Sequence, residues 1–371
     1  MTHPNPLPLP EGIRSCFAQD VNGLHMHYLE AGRAASGQPA RPCLLLLHGF
    51  PELAYSWRKI MLPLAAAGFH VIAPDQRGYG ATTGWSDSYD APLAPFHMLN
   101  LVKDATCLLA QLKIGHVHAV IGHDFGSPVA GWCALTRPDI FQRVALMSAP
   151  FTGAPMSLQG TLKLMADLED LPEPRKHYQA YYGTREANDN MQQAQQGLHA
   201  FLRAYYHMKS ADWPENHPEP LAAASAAELS RLPPYYVMPH KLGMAETVAP
   251  FMPTQAAIAS CLWLPDSELV VYAREYERTG FQGGLQWYRC GLDKLHAQEL
   301  MTWAGKTVDV PACFISGVSD WGVYQSPGAL DKMQQQTCTD FRRLQLIPGA
   351  GHWVQQEQPD AVVTSLLSFL S

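Results

Sequence analysis

The sequence predicts an α/β protein: a mostly parallel central sheet, covered by helices on both faces and interrupted once by a mostly helical insert. Two observations carry this. Short apolar runs, Cys43 to Leu47, Phe69 to Ala73, His118 to Ile121 and Arg143 to Met147, each end in a turn signal and alternate with stretches of helical spacing. Strands that read as unbroken apolar runs belong to sheets buried on both sides. After Pro150 this rhythm stops for more than a hundred residues, then returns at Val310 to Ser316 and Phe341 to Ile347.

Composition sets the outer limits. With 371 residues, 47% hydrophobic and 16% charged, the chain has the profile of a large packed core rather than of disorder. A formal net charge of −7 without any Lys/Arg run argues against nucleic acid or an anionic membrane as main partner. No apolar stretch approaches the roughly 20 residues that cross a bilayer, so no membrane insertion is expected. The eight cysteines are scattered without a CxxC pair, which reads as buried thiols in a reducing compartment. The Pro-rich start, Met1 to Gly12, lacks the basic and apolar regions of a secretory signal. A cytoplasmic protein is expected, its start a loosely draped arm; a homodimer is compatible with the sequence.

Taken in order, the chain opens with a hairpin from about Arg14 to Leu29, because Asn22-Gly23 between alternating runs favours a two-residue turn. The four apolar strands follow. The insert is rich in Tyr, Met, Ala, Gln and Pro and shows helical spacing, as in Gln192 to Tyr206. Within it Met208, Trp213, Met238, Met244, Met252 and Trp263 could line an apolar pocket or simply fill the insert's core. The part from Leu232 to Tyr276 could narrow the pocket, cover it or form a dimer contact. A last amphipathic helix fits Pro359 to Phe369. The expected division is a core of residues 1–150 and 300–371 and a cap of residues 151–299, closing an apolar pocket between them.

Four motifs carry chemistry. Gly122-His123-Asp124-Phe125-Gly126 follows a buried strand and precedes a helix, with small residues where the two pass closely. This is the pattern of a nucleophile elbow, with Asp124 at the nucleophile's place. His48-Gly49-Phe50-Pro51-Glu52 follows the first parallel strand. The N–H groups of Phe50 and Phe125 are therefore the expected oxyanion donors, and Phe50-Pro51 is a candidate cis peptide. Asp320, in the loop after a returning strand, and His352, after the last one, complete the order nucleophile, acid, His of an α/β-hydrolase triad. His48 is expected to support its loop, and Arg77, within Asp75 to Gly80, to brace the loop near the nucleophile rather than touch substrate. His25/His27 and His116/His118 are spaced to share a strand face but lack a third ligand, so both pairs read as structural.

Taken together, HGFPE, DQRGYG, GHDFG, the SDWG acid loop and GHW resemble the epoxide hydrolase branch of the α/β-hydrolase superfamily. The resemblance runs from about residue 14 to the end. It includes Gly280 to Arg289, similar to the family's cap segment whose tyrosine activates the epoxide oxygen. It implies that role for Tyr288 and, from Tyr178-Gln179, for Tyr178, with Tyr181, Tyr182, Tyr205 and Tyr206 as nearby competitors. The implied substrate is a small apolar epoxide. The implied route is an ester on Asp124, cleaved by water that His352 activates while Asp320 orients the imidazole, without metal or organic cofactor.

The residue types suit that reaction. A saturated, strained carbon offers no carbonyl to attack, so a carboxylate is a fitting nucleophile, and phenols can stabilise the departing alkoxide. A haloalkane or haloacid dehalogenase shares the Asp nucleophile, but the Trp or Arg such enzymes place after it is Phe125 here. An esterase would need Ser or Cys at 124, and Ser127 and Ser148 lie off that position. A ligand-binding receptor on the same fold has no physical need for the whole set of groups.

Overall fold

The computed structural model describes residues 6–155 and 159–371, so the first five residues of the Pro-rich arm lie outside the description. Leu7 and Leu9, further along that arm, pack against the core. The hairpin forms as expected, β1 (Arg14–Val21) against β2 (Leu24–Ala31). Asn22 and Gly23 both have positive φ, the backbone a tight twisted hairpin requires.

The continuous apolar runs become β3 (Cys43–Leu47), β4 (His70–Pro74), β5 (Ala119–His123) and β6 (Val144–Met147). Every residue of β3 is buried, with Leu44 and Leu46 in one core and Cys43, Leu45 and Leu47 in the other. A strand clad on both faces is thus why the run is unbroken. One face is covered by the helices Arg58–Ala66 and Pro359–Leu370, and the other by Met98–Gln111 and Gly126–Thr136.

The insert is mostly helical, with two details beyond the sequence reading. β7 (Arg175–His177) and β8 (Val237–Pro239) form a separate antiparallel pair; three residues are too few to show alternation. The helical spacing over Gln192 to Tyr206 falls into two helices, Glu186–Gln192 and Leu198–Lys209. They are broken where Gly197 takes a positive φ, which glycine adopts without a Cβ penalty.

β9 (Ala312–Gly317) and β10 (Phe341–Ile347) complete an eight-stranded sheet of order β1-β2-β4-β3-β5-β6-β9-β10, antiparallel only at β1-β2 and β2-β4. Consequently the loops after β3, β5, β9 and β10 emerge at one end, the end where ligands meet open α/β sheets. Among the described residues, no helix is long and apolar enough to cross a membrane.

Candidate active site

Asp124 sits at the turn between β5 and the helix Gly126–Thr136 with φ +52°. That is a costly conformation for a non-glycine residue, held by its surroundings. A Cβ on Gly122 would run into the Gly126 carbonyl, and one on Gly126 into the Leu47 carbonyl, so both positions need glycine for the close passage. A Cβ on Gly49 would occupy the space of the Asp124 carboxylate.

The carboxylate is hydrogen-bonded on one side and faces an imidazole on the other. The Phe50 N–H donates to Asp124 Oδ1 at 2.9 Å, and Asp124 Oδ2 lies 3.2 Å from His352 Nε2. Phe50-Pro51 is cis. The Phe125 N–H opens the next helix, where first-turn N–H groups have no intrahelical acceptor. Burial opposes the charge on Asp124. The His352 imidazole, then Lys209 and His123, outweigh it and hold the carboxyl well below the usual range.

His352 Nδ1 stands 3.1 Å from Asp320 Oδ1, which also accepts from the Gly322 N–H at 2.7 Å, while Ser316 Oγ donates to Oδ2 at 2.8 Å. Burial works against the Asp320 charge too, but His352 keeps it ionised and its pKa lowered. The three chain-distant groups thus form one line, acid to imidazole to carboxylate.

The insert meets this line through the helix Gln282–Gly291. The Tyr288 ring packs edge-on against Phe125 at 5.0 Å and Phe50 at 5.5 Å, and Trp287 packs on Phe125 at 5.2 Å. Trp287 Nε1 donates to the Arg77 carbonyl at 3.0 Å. The Tyr178 and Tyr288 rings lie 5.9 Å apart. Burial, with Asp124 next in weight, pushes both phenols well above their ordinary pKa, so both remain protonated donors.

They differ in partners. Tyr178 Oη donates to Gln325 Oε1 and accepts from Gln179 Nε2, both at 3.2 Å. Tyr288 Oη has no hydrogen-bond partner among the described residues. A cavity of about 510 Å³ is bordered by the chain neighbours of Tyr178, His177 and Gln179, and by its partner Gln325, with Leu164, Met165 and Leu229; neither Tyr178 nor Tyr288 lines it.

The competing tyrosines have partners of their own, though Tyr182 stays in the cluster, its ring 5.0 Å from that of Tyr288 and 5.5 Å from that of Tyr178. Tyr206 Oη donates to the Pro51 carbonyl at 2.9 Å, Tyr182 and Tyr205 pair at 3.3 Å, and Tyr181 lies under Lys176. Tyr236, unremarked in the sequence, packs on Tyr178 at 5.2 Å with its hydroxyl buried and unpartnered.

Of the supporting residues, His48 bonds its own loop and accepts from the Gln76 N–H. Arg77 makes a two-pronged pair with Asp104 at 2.7 Å and donates to the Asn22 carbonyl. His27 contacts Asp75 and Ser15, and His118 meets the Leu370 carbonyl. Met208, Met238 and Met244 are fully buried in the insert, Trp213 nearly so, while Met252 is exposed and Trp263 bonds Asp212.

The Leu232 to Tyr276 segment closes on the core. In its helix Asp266–Thr279, Glu268 pairs with Arg58, Tyr272 Oη meets Ser56 Oγ at 2.8 Å and Gln356 Oε1 at 3.1 Å, and Tyr276 reaches the Glu52 carbonyl.

Two carboxylates missed by sequence reasoning brace the loops. Glu52 contacts His123 Nδ1 at 2.6 Å, and His123 Nε2 reaches the His352 carbonyl at 2.7 Å. Although burial disfavours a charged His123, Glu52 raises its pKa. Glu357 accepts from the N–H groups of Ala211, Gly351 and Trp353 at 2.8 to 2.9 Å, fixing the residues on either side of His352. The Glu52 position was visible as part of a motif; its partners are not readable from spacing.

Comparison with known proteins gives a consistent set. Residues 42–218 match the family model described as alpha/beta hydrolase fold. The chain is 31% identical over 360 residues to epoxide hydrolase A of Mycobacterium tuberculosis, covering 95% of this chain and 96% of that protein. It is 27% identical to epoxide hydrolase 3 of Siraitia grosvenorii over 95% and 96% of the two chains. Among solved structures, an epoxide hydrolase from an endophytic Streptomyces superposes with TM-score 0.78 at 29% identity, covering 97% of this chain and 96% of that one. Epoxide hydrolase A from Mycobacterium thermoresistibile gives 0.75 at 30% identity over 96% and 97%.

Proposed function

The chain belongs to the epoxide hydrolase branch of the α/β-hydrolase superfamily and is a hydrolase acting on the ether bond of an epoxide; from that premise we propose that it opens the ring through a covalent ester on Asp124. Residues 1–150 and 300–371 serve as the hydrolase core, and residues 151–299 as the cap over it. The observation that carries the reading is the double hold on one carboxylate: Oδ1 on the Phe50 N–H and Oδ2 facing His352.

In the first step an Asp124 oxygen attacks an epoxide carbon in line with the C–O bond that breaks, and the departing oxygen takes hydrogen bonds from Tyr288 and Tyr178. In the second, His352 takes a proton from water, whose oxygen adds to the Asp124 carboxyl carbon. The negative charge then falls on the oxygen held by the Phe50 and Phe125 N–H groups. Asp320 orients the imidazole and stabilises its cationic form. On collapse the expelled oxygen takes the proton held by His352, and the proton left on the Asp124 carboxyl replaces the one a phenol gave the first alkoxide, so a vicinal diol leaves and the carboxylate is restored, now carrying one oxygen from water.

The dehalogenase reading is set aside because the ring after Asp124 is a phenyl without an N–H and because the relatives bear epoxide hydrolase names. The receptor reading lacks a reason for two protonated phenols beside a carboxylate. A reducing, cytoplasmic setting is supported by eight unpaired cysteines. A single turnover in oxygen-18 water tests the route: label is expected first in Asp124, and labelled diol in that turnover contradicts the ester.

A further inference from the structure

Away from Asp124, where the insert returns to the core, two imidazoles and two carboxylates converge without satisfying one another. His296 and Glu299 lie one turn apart on the helix Lys294–Met301 and share a face. His97, nearly two hundred residues earlier, precedes the helix Met98–Gln111 and carries no capping bond. Glu299 Oε2 is 3.3 Å from His97 Nδ1 and 3.6 Å from His296 Nδ1, and the two rings are 4.7 Å apart. One ligand atom from each of the three residues lies within 4.8 Å of the others.

The bonding deficit points to a missing ligand. His296, 95% buried by its 5% exposure, has Nδ1 unpartnered, as are Glu299 Oε2 and His97 Nε2. Buried polar atoms without partners are uncommon and costly. A neutral imidazole with its proton on Nδ1 could donate to Glu299 Oε2, yet neither close approach is aligned as a hydrogen bond.

A cation between His97 Nδ1, His296 Nδ1 and Glu299 Oε2 satisfies the unpartnered atoms of His296 and Glu299 and leaves His97 Nε2 to face Asp293. Ligands about 2.0–2.1 Å from a tetrahedral ion stand about 3.4 Å apart, matching the 3.3 and 3.6 Å spacings. Behind His97, Asp293 Oδ2 lies 3.4 Å from Nε2, the place of the carboxylate that holds a metal-bound imidazole by its other nitrogen. Two imidazoles and one carboxylate favour zinc and its neighbours over magnesium or calcium, which prefer oxygen alone. The Glu299 side chain is 40% exposed, which leaves a route for entry and a fourth position for water.

We propose that His97, His296 and Glu299 bind one zinc ion or similar divalent transition metal. It ties the helix following the Tyr288 helix to the start of Met98–Gln111 and takes no part in ring opening. The histidine pairs weighed from sequence were others, and His97 is far from His296 and Glu299 in the chain.

The test is calorimetric titration of chelator-stripped protein with zinc chloride at pH 7.5, with magnesium chloride as control, beside thermal melting. One zinc per chain with micromolar affinity is expected, raising Tm by about 2–4 °C at hundredfold excess over Kd, with no response to magnesium. Glu299→Gln, nearly isosteric and partly exposed, and His97→Ala should each weaken binding at least tenfold while melting cooperatively near the stripped wild type. Absence of binding, or zinc binding unchanged in both variants, overturns the site.

Discussion

Tyr288 and Tyr178 stand near the same carboxylate, yet their hydroxyls begin from different states. Tyr288 Oη has no protein partner to give up, whereas Tyr178 already donates to Gln325. An interaction made only as charge develops lowers the barrier, and one exchanged for an existing bond lowers it less. Tyr288→Phe is therefore expected to lower kcat/KM about 10²-fold, Tyr178→Phe less, and Tyr236→Phe, a buried hydroxyl without a partner, hardly at all. Steady-state kinetics on one epoxide check the ranking, and a larger loss at Tyr236 than at Tyr288 contradicts it. At this scale much was legible. Asp124, Asp320 and His352 each follow a strand in a short motif, and the structure brings them together. Glu52 and Glu357 were not recognised as braces, because their partners, His123 and the Ala211 N–H among them, are distant in sequence.

The elbow is the element on which these contacts depend. Its strand and helix cross so closely that Gly126 faces the Leu47 and His48 carbonyls without room for a methyl group. Backbone carbonyls cannot rotate away as a flexible side chain can, so Gly126→Ala must push the helix from β3 and carry Asp124 with it. Overpacking of this kind costs about 1–3 kcal/mol. We expect a lowered urea midpoint together with a loss of kcat; an unaltered kcat would mean that the elbow tolerates displacement. The parallel strands were readable because burial on both faces leaves an unbroken apolar run. The β7-β8 pair and the break at Gly197 were not, since three-residue strands have no period and a helix stop inside a Gln-rich stretch leaves the composition unchanged.

Across the whole molecule the same end of the sheet holds both the chemistry and several buried charges. Asp75, at the end of β4, accepts from the Ala54 N–H at 2.8 Å and the Ala81 N–H at 3.0 Å, and its Oδ2 lies 2.7 Å from His27 Nδ1. Burial alone would raise its pKa, but His27, then His48 and the Ala54 N–H, bring it down to about 2. An unfolded Asp titrates near 3.9, so this carboxylate's contribution is fully present above that value and is lost as pH falls towards about 2. Its size is about 2 kcal/mol. Urea unfolding from pH 6 to pH 2.5 should therefore show an acid loss that is smaller by about that amount in Asp75→Asn; the same loss in both proteins would assign acid sensitivity elsewhere. The two-part organisation was legible from where the strand rhythm stops and resumes. The docking of Asp266–Thr279 on Ser56, Arg58 and Gln356 was not, because neither partner's pattern names the other.

The central claim is that Asp124 becomes esterified by the substrate, and intact mass spectrometry of His352→Gln tests it most directly. Without the base, ester hydrolysis should stall. After separate incubation with a panel of epoxides and a panel of haloalkanes, the protein is expected to gain the mass of one whole epoxide, and Asp124→Ala to gain nothing. Gain of a haloalkane less its hydrogen halide, or no adduct from either panel, would contradict the account.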